Sequence, residues 1–287
     1  SNMRQIGIAI HNHAGSKNHL PLGASGPADM GGTAQHADGV VFWTMAIMPY
    51  SEEQNLSAIL NLKVGFRGNG YETINNAAFS TSVPLLKCAS DDVGYSTWSD
   101  KKWSRSSYVA CYNVDGAMVD RSANFTYDNG GNTGTACCKD PAKNPATRKA
   151  LFNVNMRRTF KDVVDGTSHT AAVSESISGP DGTADARGRW WNDWGVLYTH
   201  WHGPNSAIAD SVWNPVVSTF CDNAKAPCDG NSTCWSTVNF SARSLHPGGV
   251  NVLLADGSVQ FVGEEIDMAV WQALASIKGG EMLSGGF

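Results

Sequence analysis

The residues of this chain best suited to chemistry are its histidines and cysteines. His200 and His202 flank Trp201. Side chains on a strand alternate with period two, so both imidazoles would share one face and, with a third ligand, could hold zinc or copper. The plainer reading is a pair of hydrogen-bonded histidines at the rim of a Trp-rich cluster, and the sequence favours it. His11 and His13 lie in a helical pattern and point in different directions. His246 precedes Pro247-Gly248-Gly249, and nine residues separate it from Asp256-Gly257. A Ser-His-Asp triad needs a nucleophile on a strained turn, and the chain has no Gly-x-Ser-x-Gly. His246 therefore reads as architectural, hydrogen-bonding a neighbouring loop while Pro-Gly-Gly bends the chain. No catalytic residue is assigned.

Oxygen-rich turns at Asp128-Asn129-Gly130-Gly131-Asn132 and Asp181-Gly182-Thr183-Ala184-Asp185 make calcium the one cofactor to consider. Neither has EF-hand spacing, and such clusters are ordinarily plain turns. Trp190, Trp191, Trp194 and Trp201 could stack sugar rings on an exposed platform or fill the core; Trp is highly buried on average, which favours the core.

The seven cysteines are Cys88, Cys111, Cys137, Cys138, Cys221, Cys228 and Cys234. No pair has the Cys-x₂-Cys spacing of a zinc ribbon. Those in loops rich in Asn, Ser, Asp and Gly make little sense as core thiols and read as disulfides of an oxidising compartment. The odd count leaves one thiol free or paired outside the chain.

The elements that position these residues follow from composition and periodicity. With 287 residues, 41% apolar, the chain can bury a substantial core. A net charge of −5 without a basic stripe argues against nucleic acid, and the aromatic content argues against disorder. The longest apolar run, residues 40–48, is too short to cross a bilayer, and nothing reads as a signal peptide. Ile6, Ala9, Ile10 and His13 define an amphipathic first helix that stops before Leu20-Pro21. A second helix is expected from Ser51, with Gln54 completing a capping box and Leu56, Ile59 and Leu60 buried. Residues 90–145 read as short strands between long loops, including 108–112, and a further strand is expected at 171–176. Val250, Val252 and Leu254, then Asp256-Gly257, then Val259 and Phe261 spell a hairpin with its apolar residues facing the core. A helix bearing Ile266, Ala269, Val270, Ala273, Leu274 and Ile277 follows. Helices on an antiparallel sheet make an α+β fold.

Several segments, in order, carry a resemblance. Residues 2–12, from Asn2-Met3-Arg4-Gln5-Ile6-Gly7 to His11-Asn12, are similar to "NLKQIGLALHN". Met48-Pro49-Tyr50 resembles the start of "LPYLEQ", and Val83-Pro84 through Cys88-Ala89-Ser90-Asp91 resembles "VPTFLCPSD". Ser107-Tyr108-Val109 resembles "SYVGN", Asp165-Gly166-Thr167-Ser168-His169-Thr170 resembles "DGTSNT", and His246 with Asp256-Gly257 resembles a C-terminal H-x9-DG signature. Together these resemble the DUF1559 family of prepilin-like proteins, abundant in planctomycete bacteria. The resemblance implies a single pilin-like extracytoplasmic domain over residues 1–287, with loop-rich, disulfide-containing inserts at about 113–160 and 204–237. It implies a non-enzymatic pseudopilin-like subunit, related to type II secretion pseudopilins, whose body sits in the periplasm or at the cell surface. Its precursor would be anchored in the inner membrane by a hydrophobic helix removed here, through which it would meet other pilin-like subunits or secretion machinery; this body alone would be monomeric. The alternative function is an extracellular carbohydrate-binding module using the Trp-rich surface. Cys88 and Cys111 lie near family-like segments entering adjacent strands and are expected to be bonded. The insert cysteines are expected to pair among themselves, linking Cys137 or Cys138 to the loop holding Cys221, Cys228 and Cys234.

Overall fold

The computed structural model describes residues 2–25, 41–63, 74–98, 101–113, 150–153, 157–191, 195–213, 221, 223–232 and 239–280. Helix α1 (Asn2–Lys17) buries Met3, Ile6, Ala9, Ile10 and His13 on the predicted face. Strand β1 (Ala24–Ser25) pairs with β2 (Val41–Phe42), which runs straight into α2 (Trp43–Ile47). Next come α3 (Gln54–Ile59) and α4 (Asn76–Ser80). Strands β3 (Tyr95–Trp98) and β4 (Lys101–Ser104) pair antiparallel. They are followed by β5 (Tyr108–Asn113), β6 (Ala171–Glu175), β7 (Leu197–Thr199), β8 (Asp210–Trp213) and β9 (Cys228–Ser232). The hairpin β10 (Gly249–Leu254) and β11 (Val259–Gly263) leads to α5 (Met268–Leu274).

The fold is α+β. Its main sheet has the order β11-β10-β6-β5-β7. The expected antiparallel pairing holds except at one edge, where β7 lies parallel to β5. The chain between β5 and its parallel neighbour β7 spans residues 114–196 and includes β6, a connection long enough for a parallel pair. Register then assigns the two faces. Asn251 and Leu253 of β10 share a face with Val173 and Glu175 of β6 and with Tyr108 and Ala110 of β5. Helix α1 covers this face. A Cβ on Gly7 would stand 3.0 Å from Leu253 Cδ1 and 3.4 Å from Gly257 Cα, so glycine lets the helix approach the hairpin closely. The ring of His11 bonds Ala255 O through Nε2 at 2.9 Å. On the opposite face Tyr198 meets His200, whose ring stacks on Trp271 of α5 with centroids 3.7 Å apart.

Three sequence expectations shift. Helix α3 starts at Gln54 without a side-chain cap; Ser51 Oγ accepts instead from Glu53 N, and Ile59 faces solvent. Helix α5 is shorter than its apolar pattern suggests, is capped by Asp267, and buries Trp271 and Leu274 while Ala269 is exposed. Phe261 is half exposed, and Val262 is the buried residue of β11. The cause is that β11 is an edge strand, whose Phe261 pairs with Asn251 beyond the reach of α1, whereas β10 is covered on both faces. The hairpin loop is also longer than a two-residue Asp-Gly turn. Leu254 N donates to Ser258 O and Gly257 N to Leu254 O, leaving three loop residues closed by Gly257 at φ 89°.

The interior also holds a buried ionic mesh. Arg187 forks onto Asp185, with Nη2 to Oδ2 at 2.6 Å, and Arg243 onto Asp210 at 3.0 Å. Arg105 donates to the carbonyls of Thr183, Asp185 and Arg187. Burial draws the Arg105 guanidinium down to about 10, still protonated at neutral pH. Burial alone would raise the Asp185 carboxyl, but Arg187 beside it holds it below the usual carboxylate value.

Gly257→Ala should cost about 1–2 kcal/mol, because an L side chain is strained at positive φ; a thermal melt would register the loss. Acid should act through the buried imidazoles. Burial lowers His200 to about 3, and burial together with His19 lowers His13 to about 4, both from the ordinary imidazole value of 6.5. The unfolded chain therefore takes up protons that the fold refuses. Stability from these groups is full above about pH 6.5 and falls as pH drops toward about 3. Melting temperatures across that range should decline, and a His200→Gln chain, less stable at neutral pH, should lose less on acidification.

Candidate functional site

At the end of the face that α1 covers, three distant segments converge on Glu175, the last residue of β6. Glu175 is buried, and its carboxylate is oriented from β10: Oε2 accepts from Asn251 N at 2.8 Å and from Asn251 Nδ2 at 3.2 Å. That leaves Oε1 facing His246 Nε2 at 3.1 Å and Cys88 Sγ at 3.4 Å. The third edge, Cys88 Sγ to His246 Nε2, is 3.6 Å. Among the described residues this is the one group of three potential metal-ligating side chains whose ligand atoms lie within 4.8 Å of one another.

Each member is held by its own backbone. Cys88 follows a 3₁₀ turn, Pro84–Leu86, and its N–H donates to Ser107 Oγ at 3.0 Å. Ser107 Oγ in turn donates to Asp91 Oδ2. His246 N donates to Ser244 Oγ, and three residues before His246 Arg243 N donates to Glu175 O. The His246 side chain keeps 29% of its surface exposed, against 4% for Glu175, so the cluster is open to solvent on the histidine side. A cavity of about 10 Å³, lined by Cys88, Asp91, Glu175 and Arg243 among others, adjoins it. Burial, then the neighbouring Glu175, push the Cys88 thiol up, so it stays protonated and donates to Glu175. Burial likewise raises the Asp91 carboxyl.

A Cys–His–acid relay would give sulfur one ring nitrogen and the acid the other. Here one nitrogen, Nε2, faces both. The three heteroatoms surround a common point, which is the arrangement of a ligand set.

The other sequence candidates separate. Cys88 and Cys111 are free thiols, which corrects the expected disulfide. Tyr108 shares a sheet face with Glu175 and Cys88's site, and Cys111, three residues on, points to the opposite face beside Tyr198. An odd spacing along one strand cannot bring the two together. Cys221 and Cys228 are bonded to each other, so the second insert closes on itself rather than through Cys137 or Cys138 at either residue. Cys137, Cys138 and Cys234 lie outside the described residues, as do Trp194 and the turn at 128–132. His200 is buried beyond the end of β7, with Nε2 against Tyr198 OH and Nδ1 against Trp271 O, so neither nitrogen is offered to a metal. His202 is partly exposed, and its carbonyl receives Trp271 Nε1. Asp181 caps Tyr95 N and Asp185 pairs with Arg187, so the turn at 181–185 spends its carboxylates on the protein. Trp190 and Trp191 are both buried, packed around Phe79 with Trp103, which removes them from any sugar platform; Trp201 remains half exposed. Gly248 has positive φ, and Gly249 opens β10.

Sequence reading singled out His246 and Cys88 but not Glu175, and did not join them. The signal available was that Cys88 and His246 sit in resemblance-bearing stretches and that Glu175 ends the strand following a third. No curated protein and no solved structure matches this chain. Residues 1–269 match the family described as protein of unknown function, DUF1559, and the chain belongs to that family.

Proposed function

We propose that this chain is the globular body of a non-enzymatic, pilin-like subunit displayed outside the cytoplasm, tethered to the envelope by an N-terminal hydrophobic segment and packed against other subunits or secretion machinery. The observation that carries this reading is α1. One face is seated on the sheet through Gly7 and His11, while the outward face presents Gln5, Ile8 and Asn12 to a groove of about 440 Å³ shared with Tyr50 and Glu53. Ile8 is 60% exposed there, an apolar side chain suited to a neighbouring copy. The Cys221–Cys228 disulfide supports an oxidising compartment. Among the described residues no helix is long and apolar enough to cross a membrane. Among the described residues the carbohydrate-binding alternative rests on Trp201, since Trp190 and Trp191 are interior.

This chain by itself should be monomeric in light scattering, and a filament persisting on dilution would count against the reading. In the full-length protein in its native envelope, Ile8→Cys should cross-link copies, whereas Val164→Cys, equally exposed elsewhere, should not. A glycan array should stay blank; specific sugar binding abolished by Trp201→Ala would transfer the function to the alternative.

A further inference from the structure

We propose that Cys88, Glu175 and His246 form a zinc site with three protein ligands and one position open to solvent. The inference goes beyond the structural role above and does not depend on it.

Geometry carries it. Zinc bonds thiolate sulfur at about 2.3 Å and imidazole nitrogen or carboxylate oxygen at about 2.0–2.1 Å. Tetrahedral angles then set ligand separations of about 3.5 Å for sulfur to nitrogen or oxygen, and about 3.3 Å for nitrogen to oxygen. The three edges found are 3.6, 3.4 and 3.1 Å. The match holds on every edge to about 0.2 Å, the tolerance expected of a preformed site.

The surroundings meet the other requirements. Asn251 grips Glu175 Oε2 twice and so aims Oε1 at the centre, the outer-shell role that orients carboxylate ligands. Ser107 and Ser244 fix the backbones of Cys88 and His246. The solvent-facing edge of His246 supplies both an entry path and room for a water as fourth ligand. On binding, Cys88 gives up its thiol proton to solvent and becomes a thiolate. His246 ligates through Nε2 as the neutral tautomer that carries its proton on Nδ1. One thiolate, one neutral imidazole, one carboxylate and a water suit zinc's borderline softness better than calcium or magnesium, which take oxygen alone.

The test uses the whole chain, its disulfide intact, stripped with chelator and titrated with Zn²⁺ under anaerobic conditions. The expected result is one equivalent bound with Cys88 protected from alkylation, and, with Co²⁺ as probe, a thiolate-to-cobalt charge-transfer band. Cys88→Ser should erase that band, and both Cys88→Ser and His246→Ala should weaken Zn²⁺ binding by more than about a hundred-fold. Cys111→Ser, on the other face of the sheet, should leave binding unchanged. Glu175 is too deeply built in for its variant to be decisive; His246 is part-exposed, and circular dichroism of His246→Ala should show the fold retained. Failure to bind Zn²⁺ stoichiometrically, or binding that survives both Cys88→Ser and His246→Ala, overturns the site. Neither result bears on subunit assembly.

Discussion

Guanidinium groups bonded to main-chain carbonyls hold the irregular part of this molecule together. A buried carbonyl left without a partner costs about 1–3 kcal/mol, and long stretches here run through the interior outside any helix or ladder. Arg105, Arg187 and Arg243 meet that demand with a planar fork that can serve several acceptors at once. Arg243 takes Ser206 O and Ile208 O besides Asp210, and Arg187 takes Ala226 O besides Asp185. Removing either aspartate would leave a cation uncompensated in the interior, which is far more damaging than never having had the pair.

The same mesh positions the metal-ligand cluster. Arg243 is anchored by Asp210, its N–H reaches Glu175 O, and Ser244 beside it receives His246 N. A rigid loop thus delivers His246 to the end of β6. Glu175 stands where the sheet, this loop and the segment around Cys88 meet, so one carboxylate touches all three. Precision at the cluster comes from the mesh and the sheet together.

Much of the regular structure was legible in the residues. The 3-4 spacing of Ile6, Ala9, Ile10 and His13 marked α1, and alternation around Asp256-Gly257 marked the hairpin, because both patterns reflect burial on a single face. Phe261 failed because alternation cannot tell an edge strand from a covered one. Trp190 and Trp191 were ambiguous because two consecutive residues in a turn can both point inward, which no strand permits. The candidate site was half legible. Cys88 and His246 stood out as residue types, but their meeting depends on the order β10-β6-β5, and strand order across such separations leaves no local trace. The Cys88–Cys111 pairing failed on parity once β5 was in place.

The bond from His11 to Ala255 O spans 244 positions. Helix α1 is therefore seated in part by a hairpin made much later in the chain. Helix α1 can pack on α2 and on the turns at Met48–Tyr50 and Pro84–Leu86 once these exist, but Gly7 and His11 meet their partners only with the hairpin, and contacts of such long range slow folding. A chain stopped short of β10 would leave the hairpin-facing side of α1 uncovered. Closure of this fold is a late event.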